Sequence, residues 1–436
     1  MAVTQRMSSV SRRFLLGTGI GGAGLLALSA CGGGAGGETG SSGGGGGGGG
    51  AATITVWMYP VVPDEEASRT YWEGVAADFN ADNNDIDLVL ELQPWDNRDE
   101  KIATALAAGT GPDLVLLTAD QTLNYYTSGG IVPVTAALEA SDAYFEPTLD
   151  SVTYDGDVYG VPIYQTSTTV MYNKQLFDEA GITELPTTWE EVLAAAPALA
   201  ENGVAILDYA GASEMTLNLS FYPLLWQAGG SVFTEDGTDV AFDSPEGVSA
   251  LQFLLDLQAM GGLPADAALN GGPIEGGPMG NGTAAMRYFA VKSDVDLMQT
   301  AFDEAAIVVG EPLTGVEQAS FGTPGVLAVT TINEDLDAAM RVANYIASPD
   351  VSHELHVASG TYPVRTDTEA PGEDEITLAF VDALDHARPG EVVPNARQVM
   401  AALVPHLQAA LQGSKAAQEA LDDAAAEARD IISRAG

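Results

Sequence analysis

Positive charge, histidine and cysteine are all scarce in this chain. Only 16 of its 436 residues are Lys or Arg, against 61 Asp or Glu, and the formal net charge is −45. That balance repels phosphate backbones, excludes nucleic acid as a partner and disfavours anionic ligands. The acids are spread along the chain rather than gathered in one tail, as suits the solvated faces of a secreted protein. One cysteine, Cys31, allows no intrachain disulfide and no cysteine-based metal site. The four histidines, His353, His356, His386 and His406, lie in the last quarter without metalloprotease spacing, so they are expected on solvated helix faces. Neither a Gly-x-Ser-x-Gly elbow nor a phosphate-binding loop occurs. No catalytic residue, metal or cofactor is therefore expected.

What is present begins with an export signal. Residues 1–30 contain no acid, and Arg6, Arg12 and Arg13 precede an apolar run from Phe14 to Leu28 that is too short for a permanent membrane span. Ser11-Arg12-Arg13-Phe14-Leu15 resembles a twin-arginine signal, although the Phe follows the Arg pair directly where that pattern usually inserts one residue. Leu28-Ser29-Ala30-Cys31 resembles a bacterial lipobox, which would make Cys31 the first mature residue and the carrier of a lipid. Residues 31–52 are dominated by Gly, a composition that buries no core and reads as a flexible tether.

The remainder is long enough for two cores, and its hydrophobic fraction of 46% can fill them. From Thr53 the pattern alternates: a strand ending at Trp57–Pro60, a helix over Glu65–Asn80, a strand over Ile86–Leu92, a helix over Asn97–Ala108 and a strand over Asp113–Leu117. This order predicts an α/β fold with a mostly parallel sheet, whose ligands sit beyond the carboxyl ends of the strands. Val158–Leu199 changes period from strand to helix, and Thr187-Thr188-Trp189-Glu190-Glu191 offers two overlapping capping boxes, Thr187 with Glu190 and Thr188 with Glu191. Further on, Ser244-Pro245-Glu246 starts a helix, Ala284–Phe289, Ala306–Val309 and Gly325–Thr330 read as strands, and helices fill much of the rest.

Two α/β units imply a cleft between them. Aromatic residues fall at strand ends and breaks, where rings can stack on the apolar faces of a sugar while polar neighbours bond its hydroxyls. Trp72 and Trp189 lie on helices and are assigned to cores.

Several segments carry a family resemblance. They are Ile54-Thr55-Val56-Trp57, Ala107 to Asp113, Asp157 to Pro162, Tyr172-Asn173-Lys174, Pro186 to Glu191, Ala284-Ala285-Met286, Tyr362 to Arg365 and Gly390 to Pro394. Together they resemble the extracellular solute-binding proteins of ATP-binding-cassette importers, in the class that includes maltose-binding proteins. The resemblance implies a two-lobe periplasmic-binding-protein-like fold whose discontinuous lobes are joined by hinge crossings. Lobe one would hold 53–161 plus 288–347 and lobe two 166–283 plus 350–436, with crossings near Pro162–Gln165, Met286 and Ser348–Pro349.

The resemblance also implies a site. Trp57 and Tyr59 match the loop after the first strand, Asp96 the loop after the second, and Asp120 and Gln121 the loop after the third; Tyr164 and Gln165 match the hinge. Tyr222 and Trp226 match an aromatic wall of the second lobe, Arg287 and Tyr288 follow the Ala-Ala-Met marker, and Tyr362 and Arg365 approach from the last quarter. The expected protein is a monomeric, lipid-anchored receptor on the outer face of the cell membrane. It would capture a neutral sugar or oligosaccharide and deliver it to the permease subunits of an importer. A cell-surface polysaccharide hydrolase and a sensor ectodomain stand as alternatives.

Overall fold

The computed structural model describes residues 51–62, 64–369 and 371–435. The expected signal peptide, Cys31 and nearly all of the Gly-rich segment expected to act as a tether lie outside them. Two sheets organise the described chain. Their strands are β1 (Ala52–Met58), β2 (Ile86–Leu92), β3 (Leu114–Thr118), β4 (Val161–Gln165), β5 (Thr169–Asn173), β6 (Ala205–Leu207), β7 (Ala284–Ala290), β8 (Ile307–Gly310) and β9 (Pro324–Val329). The first sheet has the order β2-β1-β3-β9-β4 and the second β8-β5-β7-β6.

Each sheet has its own core, which gives the two-lobe α/β architecture. In β1 the residues Ile54, Val56 and Met58 are buried in alternation, against Trp72, Val75 and Phe79 of the helix Glu65–Asp82. The helix Leu336–Ile346 adds Met340, Val342 and Ile346 to the same core. The second core is built on β5 and β7 by the helices Phe221–Gln227, Pro245–Ala259, Ala396–Leu411 and Ala417–Ala435. Trp72 is buried as expected, and Trp189 packs on Phe253 with ring centroids 4.4 Å apart.

Local signals in the sequence set several of these boundaries. Asp64 caps the first helix by accepting from Ala67 N at 2.8 Å, and Gly109, at φ 65°, ends the helix Arg98–Ala108 in a conformation that a β-carbon disfavours. Of the two overlapping capping boxes one forms: Thr188 Oγ1 accepts from Glu191 N at 3.2 Å, and Glu191 Oε2 accepts from Thr188 N at 3.1 Å. Glu191 also takes the Thr187 N–H at 2.9 Å, the role expected of Glu190.

The parallel arrangement holds for β1, β2 and β3, but β9 enters antiparallel between β3 and β4, and β5 is antiparallel to both of its neighbours. The crossings also move. Met286 lies within β7 and pairs with Tyr172 in the second sheet, and β8 pairs with β5, so 288–310 belongs with the second sheet rather than the first. Ser348 precedes a helix, Pro349–Ser359, whose Leu355 is part of the first core. The chain passes between lobes at 165–168, 321–323 and 361–365 instead. These segments are laced together: Thr166 N and Thr168 N donate to Thr323 O and Phe321 O at 3.0 Å each, while Gln165 and Tyr362 exchange backbone bonds at 2.8 Å. Breaks at Gly, Ser and Pro mark where an element ends; they carry no information about which sheet receives the next one.

Candidate ligand-binding cleft

The first lobe brings its site residues from the ends of β1, β2 and β3. Tyr59, just past β1, is buried and stacks on Trp95 at 4.9 Å, and the Arg98 guanidinium lies 5.1 Å from both ring centroids. Trp95 remains 44% exposed, so this aromatic and cationic stack reaches solvent. At the end of β3, Asp120 and Gln121 sit in the first turn of the helix Ala119–Thr127, where the helix dipole favours a carboxylate. Gln121 Oε1 accepts from Thr118 N at 3.1 Å, and its amide donates to Asp99.

The second lobe meets this face from the helices Phe221–Gln227 and Ala396–Leu411. Arg397 Nε stands 2.6 Å from Asp120 Oδ2, an ion pair that joins the two lobes. Tyr222 and Trp226 are fully buried behind it, with Trp226 Nε1 donating to Glu391 Oε1 at 3.3 Å and the Arg388 guanidinium 5.8 Å from the Trp226 ring. Electrostatics tie both walls together. Burial, reinforced by the charge of Arg397, lowers the affinity of the Arg98 guanidinium for its proton; Asp99, Tyr59 and Asp120 oppose this. Burial raises Glu391 above the usual carboxylate range, and burial followed by the Glu391 charge raises the Tyr222 phenol. Tyr164, on the hinge strand β4, is pushed up to about 12 by burial, with Arg98 opposing.

Beside this contact a cavity of about 370 Å³ opens at the hinge, lined by Phe145, Pro147, Gln165, Gly322, Pro363 and Leu384 among others. It touches the first lobe, all three crossings and the second lobe. A larger void of about 730 Å³, edged by Lys292, Asp296, Asp303 and Asp374, lies on the second lobe away from the residues above. No group of three His, Cys, Asp or Glu side chains suited to a metal occurs among the described residues.

Of the residues expected to touch ligand, Tyr59, Asp120, Gln121, Tyr164, Tyr222 and Trp226 gather at the interlobe contact, and Gln165 lines the hinge cavity. The others are placed elsewhere or are committed to other partners. Trp57 donates from Nε1 to Glu91 at 2.8 Å on the β1–β2 surface, and Asp96 is exposed in its loop. Arg287 is buried in a network with Asp208, Asp294 and the carbonyl of Gly272, while Tyr288 donates to the carbonyl of Ser220 inside the second core. Tyr362 stacks on Phe380 within an apolar cluster at a crossing. Arg365 is bound to Asp367 by two bonds of 2.8 Å and lies 4.9 Å from the Tyr144 ring. His356, expected on a solvated face, is fully buried. Arg98, Asp99, Arg388, Glu391 and Arg397 were not anticipated. Arg98 and Asp99 directly follow the loop that had been singled out, and Glu391 sits in a family marker, whereas nothing in the helical pattern around Arg397 distinguishes it.

Comparison with known proteins agrees with the two-lobe fold. A binding protein of Brucella abortus is 23% identical over 386 residues, covering 84% of this chain and 90% of its own. A solute-binding protein of an ABC transporter from Thermotoga lettingae, solved with α-D-tagatose, superposes with a TM-score of 0.76 at 25% identity, covering 88% of this chain and 100% of its own. The GacH receptor of Streptomyces glaucescens, solved unliganded and with acarbose, has a TM-score of 0.77 at 22% identity, covering 88% and 99%. The family model described as bacterial extracellular solute-binding protein matches residues 63–352, roughly two thirds of the chain. With this match and the two-lobe fold that surrounds the site, the chain belongs to the bacterial extracellular solute-binding protein family.

Proposed function

We propose that the protein captures a sugar or oligosaccharide between its lobes and delivers it to the membrane permease of an ATP-binding-cassette importer. One observation carries this reading: aromatic faces, an aspartate and an arginine from opposite lobes converge at one contact, beside a cavity that spans the hinge. Rings of this kind stack on sugar faces, and carboxylate and guanidinium groups bond hydroxyls. A solute touching both walls favours the closed form by its difference in affinity for the two states. Sugar-bound relatives of the same fold support the reading, and binding without turnover agrees with relatives that are themselves binding proteins. A lipid on Cys31 and the Gly-rich tether would hold a monomeric receptor at the outer face of the membrane.

Tryptophan fluorescence titrated with a panel of mono- and oligosaccharides tests the proposal. At least one sugar should give a saturable change, and Tyr222→Ala should weaken it by about tenfold or more while the near-ultraviolet dichroism stays native. A silent panel combined with saturable binding of a peptide or polyamine overturns it.

A further inference from the structure

Away from the crossings, one side chain bridges the two lobes by charge. Arg397 stands in the first turn of the helix Ala396–Leu411, which Val399, Leu403 and Leu407 anchor in the second core. Its Nε lies 2.6 Å from Asp120 Oδ2, and its guanidinium donates to Thr118 Oγ1 at 3.5 Å. Asp120 is held as well, since it lies in the first turn of the helix Ala119–Thr127 and accepts from Thr118 Oγ1. Among the described residues no other ion pair joins the lobes away from the crossings. Around this pair the expected walls are covered by protein: Tyr59, Asp120, Gln121, Tyr222 and Trp226 are all buried, and the hinge cavity is lined by other residues.

Either charge can leave the pair without being stranded. The Arg397 side chain is 27% exposed, and its Nε–H makes no aligned hydrogen bond, so it holds Asp120 by charge at contact distance. When the two part, water reaches the guanidinium, and Asp120 keeps the Thr118 hydroxyl and the helix N-terminus, both of which favour a carboxylate. Arg287 and Asp208 form the contrasting pair: at 3% and 0% exposed inside the second lobe, they could not separate without leaving a buried charge alone. Burial and then Arg397 lower the proton affinity of Arg98, so closing also carries a repulsion that limits how tightly the pair holds.

We propose that Arg397 and Asp120 form a latch: their ion pair holds the lobes together through protein contacts alone, and it must part before a solute can reach Asp120 or Tyr222. From the sugar-binding reading this takes only that solutes enter between the lobes. The apparent affinity for any solute is then reduced by the fraction of molecules whose latch is open.

Small-angle X-ray scattering of the full chain without added sugar tests the latch. Arg397→Gln and Asp120→Asn should each enlarge the radius of gyration, and the double variant should be no larger than either single one, because each change removes the same bond. Near-ultraviolet dichroism checks that the variants are folded, and if Arg397→Gln folds poorly, Asp120→Asn reads the latch from the other lobe. Single variants as compact as the wild type, or a double variant whose expansion is the sum of the two, overturn the proposal. Stopped-flow mixing with the sugar panel gives a second readout: any sugar that binds should associate at least about threefold faster with Arg397→Gln. An unchanged association rate overturns the latch as a gate to the cleft. A panel in which no sugar binds defeats the sugar-binding reading and leaves the scattering to decide the latch.

Discussion

Arg287 and His356 show how one side chain can be consumed by a core. Arg287 donates to Asp208 at 3.0 Å, to the Gly272 carbonyl at 3.1 Å and to Asp294 at 3.4 Å, while Asn270 donates to Asp208 at 3.1 Å. With each charged group bonded, the network keeps a guanidinium inside the second lobe, where an unpaired one would be strongly destabilising. His356 has Nδ1 3.1 Å from Thr361 Oγ1 and no partner for Nε2. Burial, and then the neighbouring His353, push its pKa down to about 3 from an ordinary value near 6.5. The unfolded chain therefore binds this proton more readily than the folded one. The stability contributed by the neutral ring is complete above pH 6.5 and is lost as the pH falls from there to about 3, at about 1.4 kcal/mol per pH unit. Urea unfolding at pH 7 and pH 5 should show a steeper loss in the wild type than in His356→Asn, and parallel losses would refute the assignment.

At the scale of elements, the hinge is a ladder of three crossing segments rather than a set of isolated linkers. Thr166 Oγ1 and Thr168 Oγ1 add side-chain bonds to Thr323 O and Phe321 O at 3.1 and 2.9 Å, fastening the first crossing to the second. Gly325, at the start of β9, lets the Tyr164 ring lie across the backbone: a β-carbon there would stand 2.1 Å from Tyr164 Cζ. Gly325→Ala should displace that ring, cost about 1–3 kcal/mol and weaken ligand binding, because Tyr164 borders the contact. Thermal melting and the sugar titration check both effects; an unchanged midpoint with unchanged affinity would show that the ring is not constrained. Single elements such as the Thr188–Glu191 capping box and the Gly109 stop were legible because their signals lie within four residues. The antiparallel entry of β9 was not, since a strand pattern looks the same in either direction.

For the whole molecule, the proposed lipid attachment predicts that membrane association and recognition are separable. A lipid on Cys31 and a Gly-rich tether would hold the folded part at the membrane, so Cys31→Ala should release the protein from the membrane fraction and leave ligand affinity unchanged. Continued membrane retention of that variant would remove the lipid from the account.

The order of strands and helices, the helix caps, the excess of acids and the aromatic residues at strand ends were determined by the sequence alone, because each depends on neighbours a few positions away. Asp120 and Tyr222 were nominated by the family resemblance that the sequence carries. Only the tertiary structure decided that 288–310 joins the second sheet, that Arg287 and Tyr288 are spent on a core, and that Arg397 crosses to Asp120 near Arg98. The physical reason is distance along the chain: Arg98 and Arg397 are about three hundred residues apart, and no local period or cap records that folding brings their charges within reach of each other.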